Sequence, residues 1–204
     1  MPVRALFWDV DTQWDFMDPG GRLPVPGAEG IVANLRKLTQ FAELHGVPIV
    51  ATADTHTCDD AEFQQFGTHC VAGTPGHEKI AATSVGARVL AREDRLAQQV
   101  RDLEAGRTKQ MVVEKPSLDA FALPVADAVV SGLRPEHIYV YGVATEYCVL
   151  LAVLGLRDRG YVVTVVEDAV RGIDPVAERE ALGRMTQAGA HFATTDEVLA
   201  AVSR

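Results

Sequence analysis

Asp11, Asp54, Lys115 and Cys148 each stand at or just past the end of an apolar, β-branched run of sequence. A thiol, two carboxylates and a cation are the parts of a nucleophilic hydrolase. The thiol lies in GVATEYCV, residues 142–149, between the strand-like HIYVYGV and the almost wholly apolar VLLAVLGL. With Thr145 as N-cap, Cys148 becomes the third residue of a helix, facing unpaired N–H groups and the positive end of the dipole. Helix N-termini lower a cysteine pKa from about 8.5 into the range of roughly 3.5–7.5, and a nearby Lys115 pushes the same way. Asp11 can take the thiol proton and return it to a leaving group. Backbone N–H groups at the strand–helix turn can hold a tetrahedral oxyanion. A lone cysteine is more often a small core residue. The company of Asp11 and Lys115 favours the chemical reading.

A second set lies in ADTH and FGTHC. Asp54 and His56 are two apart at a strand end, so both side chains can point the same way. His69 follows across a loop, with Glu62 between. Asp, His, Glu and His make an oxygen and nitrogen donor set for zinc, manganese or iron. Asp59 and Asp60 lie close enough to compete with Glu62. His45, His77, His137 and His191 are read as water-facing, and Cys58 and Cys70 as packing thiols. Trp14, Phe16, Phe63 and Phe66 cluster near these motifs, and a flat apolar substrate could lie among them.

The elements that must position these groups alternate strand and helix. VRALFWDV, VPIVATAD, KQMVVEKP, EHIYVYGV and YVVTVVEDAV read as five strands, with HFATT as a short sixth. Between them run amphipathic helical patterns. Gly46 is a plausible stop for the first, and Asp174 with Pro175 a start for a later one. Continuously apolar strands alternating with helices imply a parallel sheet covered on both faces. Ligands of such sheets bind outside the carboxyl ends of the strands, where the four chemical residues fall.

The totals agree. A chain of 204 residues suits a single domain spanning 1–204, with 48% hydrophobic and 23% charged residues. The net charge of -9 argues against nucleic acid or an anionic membrane as partner. The N-terminal run is too short and too quickly acidic for a signal peptide, and no stretch approaches the ~20 apolar residues of a spanning helix. Three cysteines, an odd number, point to reduced thiols and a cytoplasmic protein. Self-association is compatible with such a chain, and no surface stripe in the sequence demands it.

Together DTQWDF, ADTH, HCVAGTPG, EKPSLDAF and GVATEYCV resemble the isochorismatase-like cysteine hydrolases, nearest the nicotinamidase branch. The likeness runs in order over nearly the whole chain. It implies a three-layer α/β fold, α/β/α, with a six-stranded parallel sheet. It places an Asp–Lys–Cys triad on Asp11, Lys115 and Cys148. It implies a cis peptide between Val143 and Ala144, with the Ala144 and Cys148 N–H groups as oxyanion donors. A divalent metal, zinc first, falls on Asp54, His56, His69 and Glu62, and stacking aromatics on Phe16 and Phe66. The implied activity is hydrolysis of a small amide such as nicotinamide to nicotinate and ammonia, a step of NAD salvage. A carbamoyl- or ureido-group hydrolase of the same superfamily is the alternative, and a catalytically silent binding module a third. Two departures stand out. Asp9 lies inside the first strand and needs a partner. Residues 78–109 match poorly and are expected at the active-site rim or a subunit contact.

Overall fold

The computed structural model describes residues 3–203. Its strands are β1 (Ala5–Val10), β2 (Ile49–Asp54), β3 (Arg88–Leu90), β4 (Gln110–Lys115), β5 (His137–Val143), β6 (Val163–Arg171) and β7 (His191–Ala193). Its helices are α1 (Trp14–Met17), α2 (Val32–His45), α3 (Phe63–Phe66), α4 (Leu96–Glu104), α5 (Pro124–Leu133), α6 (Leu150–Asp158), α7 (Pro175–Gln187) and α8 (Thr195–Val202). The strands form one sheet in the order β3-β4-β2-β1-β5-β6-β7, every pairing parallel.

The alternation of side chains along β1 shows why the sheet needs two covering layers. Leu6, Trp8 and Val10 face a core closed by α4, α5, α6 and α7, while Phe7 faces one closed by α2 and α8. Local signals agree with this packing. Gly46 ends α2 at φ 70°, and the Asp174 carboxylate accepts the Val176 and Ala177 N–H groups at the start of α7.

The sheet has seven strands where the sequence suggested six. The addition is β3, three residues paired to β4 at one edge, with Arg88 and Leu90 exposed and Val89 half-buried. A strand that short, open to water on one side, carries no continuous apolar run to betray it. The stretch 78–109, expected at a rim or subunit contact, also sends a side chain inward. Lys79 is buried and pairs with Asp9 Oδ2 at 2.9 Å, so the unusual strand carboxylate has its counter-charge. Thr12 donates to Asp9 Oδ1 at 2.9 Å and accepts from Lys79 at 2.7 Å.

Among the described residues no helix is long and apolar enough to cross a membrane.

Candidate active site

The chain order makes β1 the place where the winding reverses, with β2 on one side and β5 on the other. The crevice at such a reversal is where open α/β sheets hold ligands. β1 delivers Asp11, β2 Asp54, β4 Lys115, and the turn after β5 Cys148. Gly142, at φ 118°, lets β5 run against β1 there, since a Cβ would collide with the Val10 carbonyl. Asp11 itself has φ 47°, a left-handed conformation that L-residues adopt at a cost and that is concentrated at functional sites.

Lys115 is the hub. Its Nζ lies 2.9 Å from Asp11 Oδ2, 3.1 Å from Asp54 Oδ1 and 3.5 Å from Cys148 Sγ. The ammonium donates hydrogen bonds to Asp54 Oδ1 and Cys148 Sγ and forms an ion pair with Asp11 Oδ2. Burial opposes the charge of Lys115, but the carboxylates, Asp11 first and then Asp54, hold the ammonium well above the usual lysine range. The other oxygen of Asp11 is taken by Thr52, whose hydroxyl donates to Oδ1 at 2.6 Å. That leaves Oδ2, on the Lys115 side, as the oxygen free for proton transfer.

The seam that carries Cys148 differs in two ways from the helix start expected there. The N-cap is Ala144, and Thr145–Val149 form a π-helical turn before α6. Ala144 O accepts the N–H groups of both Tyr147 and Val149. The Val143–Ala144 peptide is cis, as the resemblance implied. The second difference is electrostatic. Burial pushes the Cys148 thiol well above its ordinary range. Lys115 works against this, but Asp11 and Asp54 add to it. The resting group is a protonated thiol, not the preformed thiolate that a helix dipole alone would produce. Burial is the first cause, and the cation beside the sulfur offsets it only in part.

Asp54 joins this cluster to the second one. Its Oδ1 faces Lys115, while its Oδ2 meets His56 Nε2 at 3.0 Å and His69 Nε2 at 3.1 Å. Burial opposes ionisation of Asp54, but the two histidines and Lys115 hold it well below the usual carboxylate range. The Asp54 hydrogen bond pushes His56 up to about 9, with burial opposing and Asp60 adding. One donor atom from each of Asp54, His56, Glu62 and His69 fits within 4.8 Å of the others. Glu62 Oε1 is buried without a hydrogen-bond partner. A buried, orphaned carboxylate oxygen beside two imidazoles and a second carboxylate suits a divalent cation. The four residues therefore fit the metal that the sequence implied.

Several supports were not legible as motifs. The Gln13 carboxamide accepts the Asp54 N–H at 2.7 Å and donates to the Asp54 carbonyl at 2.7 Å, pinning that residue's backbone. The Asp15 carboxylate accepts the N–H groups of Cys70 and Arg22, tying the loop after His69 to α1. His56 and Val71 form an isolated parallel bridge that brings His69 back to His56. A periodicity search cannot see polar side chains that bond backbone across 41 or 55 residues of sequence.

A mostly apolar pocket lies over these groups. Phe16, Leu23, Val25, Phe66, Leu118, Tyr147 and Ile173 line it, with Cys148, Asp54, Glu62 and His69 also exposed to it. Phe16 and Phe66, the aromatics named from the resemblance, both line it, together with Tyr147, Leu118 and Ile173. Trp14 is 38% exposed and does not line this pocket. Phe63 packs edge-on against His56, with centroids 5.3 Å apart. Two earlier readings change. Cys58 is exposed, not a packing thiol, whereas Cys70 is buried. His77 and His137 are half-buried and bonded to Thr55 and Thr164, so only His45 and His191 face water as expected.

Comparison with known proteins places this geometry in a family. The Isochorismatase domain matches residues 6–197. The nicotinamidase of Escherichia coli (strain K12) is 28% identical, over 95% of this chain and 96% of its own length. The zinc complex of the Pyrococcus horikoshii pyrazinamidase superposes with a TM-score of 0.76 at 28% identity, covering 94% of this chain and 99% of that one. The N-carbamoylsarcosine amidase of Thermoplasma acidophilum gives a TM-score of 0.74 at 25% identity, covering 95% and 98%. This chain belongs to the isochorismatase domain family, among relatives that are amide hydrolases.

Proposed function

We propose that this protein is a metal-dependent cysteine amidohydrolase that converts nicotinamide to nicotinate and ammonia. The observation that carries the reading is Lys115 bridging Asp11, Cys148 and the metal donor Asp54 beneath an apolar pocket. The carboxamide carbon of the substrate is attacked by Cys148 Sγ as Asp11 takes the thiol proton. The S–H bond breaks as the S–C bond forms, so no free thiolate accumulates. The Ala144 and Cys148 N–H groups hold the oxyanion. Collapse of the tetrahedral adduct expels the amine, which leaves as ammonia with the proton returned by Asp11. A water then gives its proton to Asp11 and cleaves the thioester, releasing nicotinate and restoring the thiol. Throughout, Lys115 holds the two carboxylates and the sulfur in register. Phe16 and Phe66 are placed to hold a flat ring.

Asp54, His56, Glu62 and His69 would hold the metal; the donor set suits zinc, manganese or iron, and the likeness to a pyrazinamidase solved with zinc puts zinc first. When bound, the ion would supply a Lewis acid able to bind and orient a ring nitrogen, while Phe16 and Phe66 flank the ring.

A carbamoyl-group substrate is the second reading, favoured by the likeness to N-carbamoylsarcosine amidase. Against it stands the pocket lining. Among the described residues, no arginine or lysine lines it to meet a substrate carboxylate. The deciding experiment is ammonia release from nicotinamide and from N-carbamoylsarcosine by wild type and Cys148→Ala, with and without chelator. The reading expects release from nicotinamide alone, lost in the variant and reduced by chelator. Release from the carbamoyl substrate alone would replace it with the second reading.

A further inference from the structure

The two histidines of the metal set are anchored unequally. Each presents Nε2 to Asp54 Oδ2, and each uses Nδ1 elsewhere. His69 Nδ1 meets a neutral acceptor, the Gly67 carbonyl, at 2.8 Å. His56 Nδ1 meets a carboxylate, Asp60 Oδ2, at 2.9 Å. The other oxygen of Asp60 accepts the Glu62 N–H at 2.9 Å, just before α3. One side chain therefore contacts two of the four metal-donor residues while remaining outside the donor group itself. Asp60 was a rival to Glu62 for the fourth ligand position on sequence grounds, and the geometry gives it different work.

We propose that Asp60 is the positioning residue of the metal site, fixing the His56 ring and the Glu62 backbone so that Nε2 and Oε1 converge. This rests on the metal reading above. The physical reason is general. An imidazole that donates Nδ1–H to a carboxylate has its lone pair at Nε2 and its ring orientation fixed, and it becomes a more basic ligand. A backbone carbonyl, as at His69, fixes the same tautomer with less added basicity. The exposed neighbour Asp59 has no such geometry, and its Oδ1 accepts only the Thr57 hydroxyl. Asp59 is thus an internal control for the bare charge of the loop.

The test is zinc affinity of the full, chelator-stripped chain, measured by competition with a chromophoric chelator. Wild type, Asp60→Ala, Asp60→Asn and Asp59→Ala are compared. Asp60→Ala should raise the zinc Kd about 10–100-fold, the usual cost of losing such a partner. Asp60→Asn, which keeps an acceptor oxygen but no charge, should fall between it and wild type. Asp59→Ala should change Kd by less than about threefold, as expected of a screened surface charge. With zinc above its new Kd, Asp60→Ala should recover turnover of nicotinamide, because the residue touches neither substrate nor sulfur. Wild-type affinity in Asp60→Ala, or an equal loss in Asp59→Ala, would overturn the inference and leave the metal site standing. Absence of zinc binding by wild type would overturn the metal reading itself. If Asp60→Ala fails to fold, judged by circular dichroism of the stripped protein, Asp60→Asn decides alone, and wild-type affinity there refutes the role.

Discussion

The two halves of the site are built by different means. Asp11 and Lys115 stand at the ends of β1 and β4, and Cys148 follows β5, so the sheet itself places them. Their register is fixed by paired, largely buried strands, and Lys115 touches both Asp11 and Cys148. Three of the four candidate metal donors, His56, Glu62 and His69, come instead from residues 55–77, where the only α-helix is the four-residue α3. That loop is held by side chains bonding backbone: Gln13 on Asp54, Asp15 on Cys70, Asp60 on Glu62. A nucleophile must meet a carbon within tenths of an ångström, and a rigid sheet supplies that. A loop can hold a metal site because the ion itself contributes to its order once bound.

Lys115 crosses the divide, so its removal should have the largest effect. Lys115→Met leaves Asp11 buried without its counter-charge beside Asp54, which keeps only its histidines, and breaking such a buried pair costs about 3–5 kcal/mol. Urea unfolding should show that loss, with turnover abolished. Added zinc should restore part of the stability through Asp54 but none of the turnover, and full rescue of both would erase the distinction between the halves.

Asp15→Ala should separate them. It removes a buried carboxylate from the N–H groups of Cys70 and Arg22, bonds worth about 1.5–3 kcal/mol each when charged. Zinc binding should weaken roughly tenfold, with Cys148 reacting as in wild type. A Cys148 reactivity that falls with zinc affinity would mean the halves share one framework.

A third prediction concerns the thiol. Because burial, Asp11 and Asp54 raise Cys148, its alkylation in the metal-free protein should be slow at neutral pH. The rate should keep climbing as pH rises beyond the ordinary thiol range. A rate already at plateau near pH 8 would restore the preformed thiolate. The smallest effect is expected at Cys58, exposed on the metal loop and bonded to none of the donor side chains. Cys58→Ser should move Tm by less than about 2 °C, as surface substitutions do in a domain of this size.

Asp9 shows how far residue-level reading reaches. A carboxylate inside an apolar strand demands a partner on physical grounds alone. Its partner is Lys79, 70 positions away in the stretch that least resembles the family. The two departures explain each other, and no local rule could have paired them. Edge strand β3 was missed for the opposite reason, since three half-exposed residues lack any pattern to read.

The sequence by itself determined the fold class and the identity of the chemical groups. Both follow from local rules: the apolar periods of strands and helices, and residue types at strand ends. The donor set Asp54, His56, Glu62 and His69 was legible for the same reason, because compact spacing makes a loop bring its own residues together. Only the tertiary structure decided the burial and charged neighbours of Cys148, the seat of Lys79, and the hydrogen bonds of Asp60 to His56 and Glu62. Each depends on how much water is excluded and which charges meet across the fold. Those quantities are set by packing between segments far apart in the chain, and no window of sequence contains them.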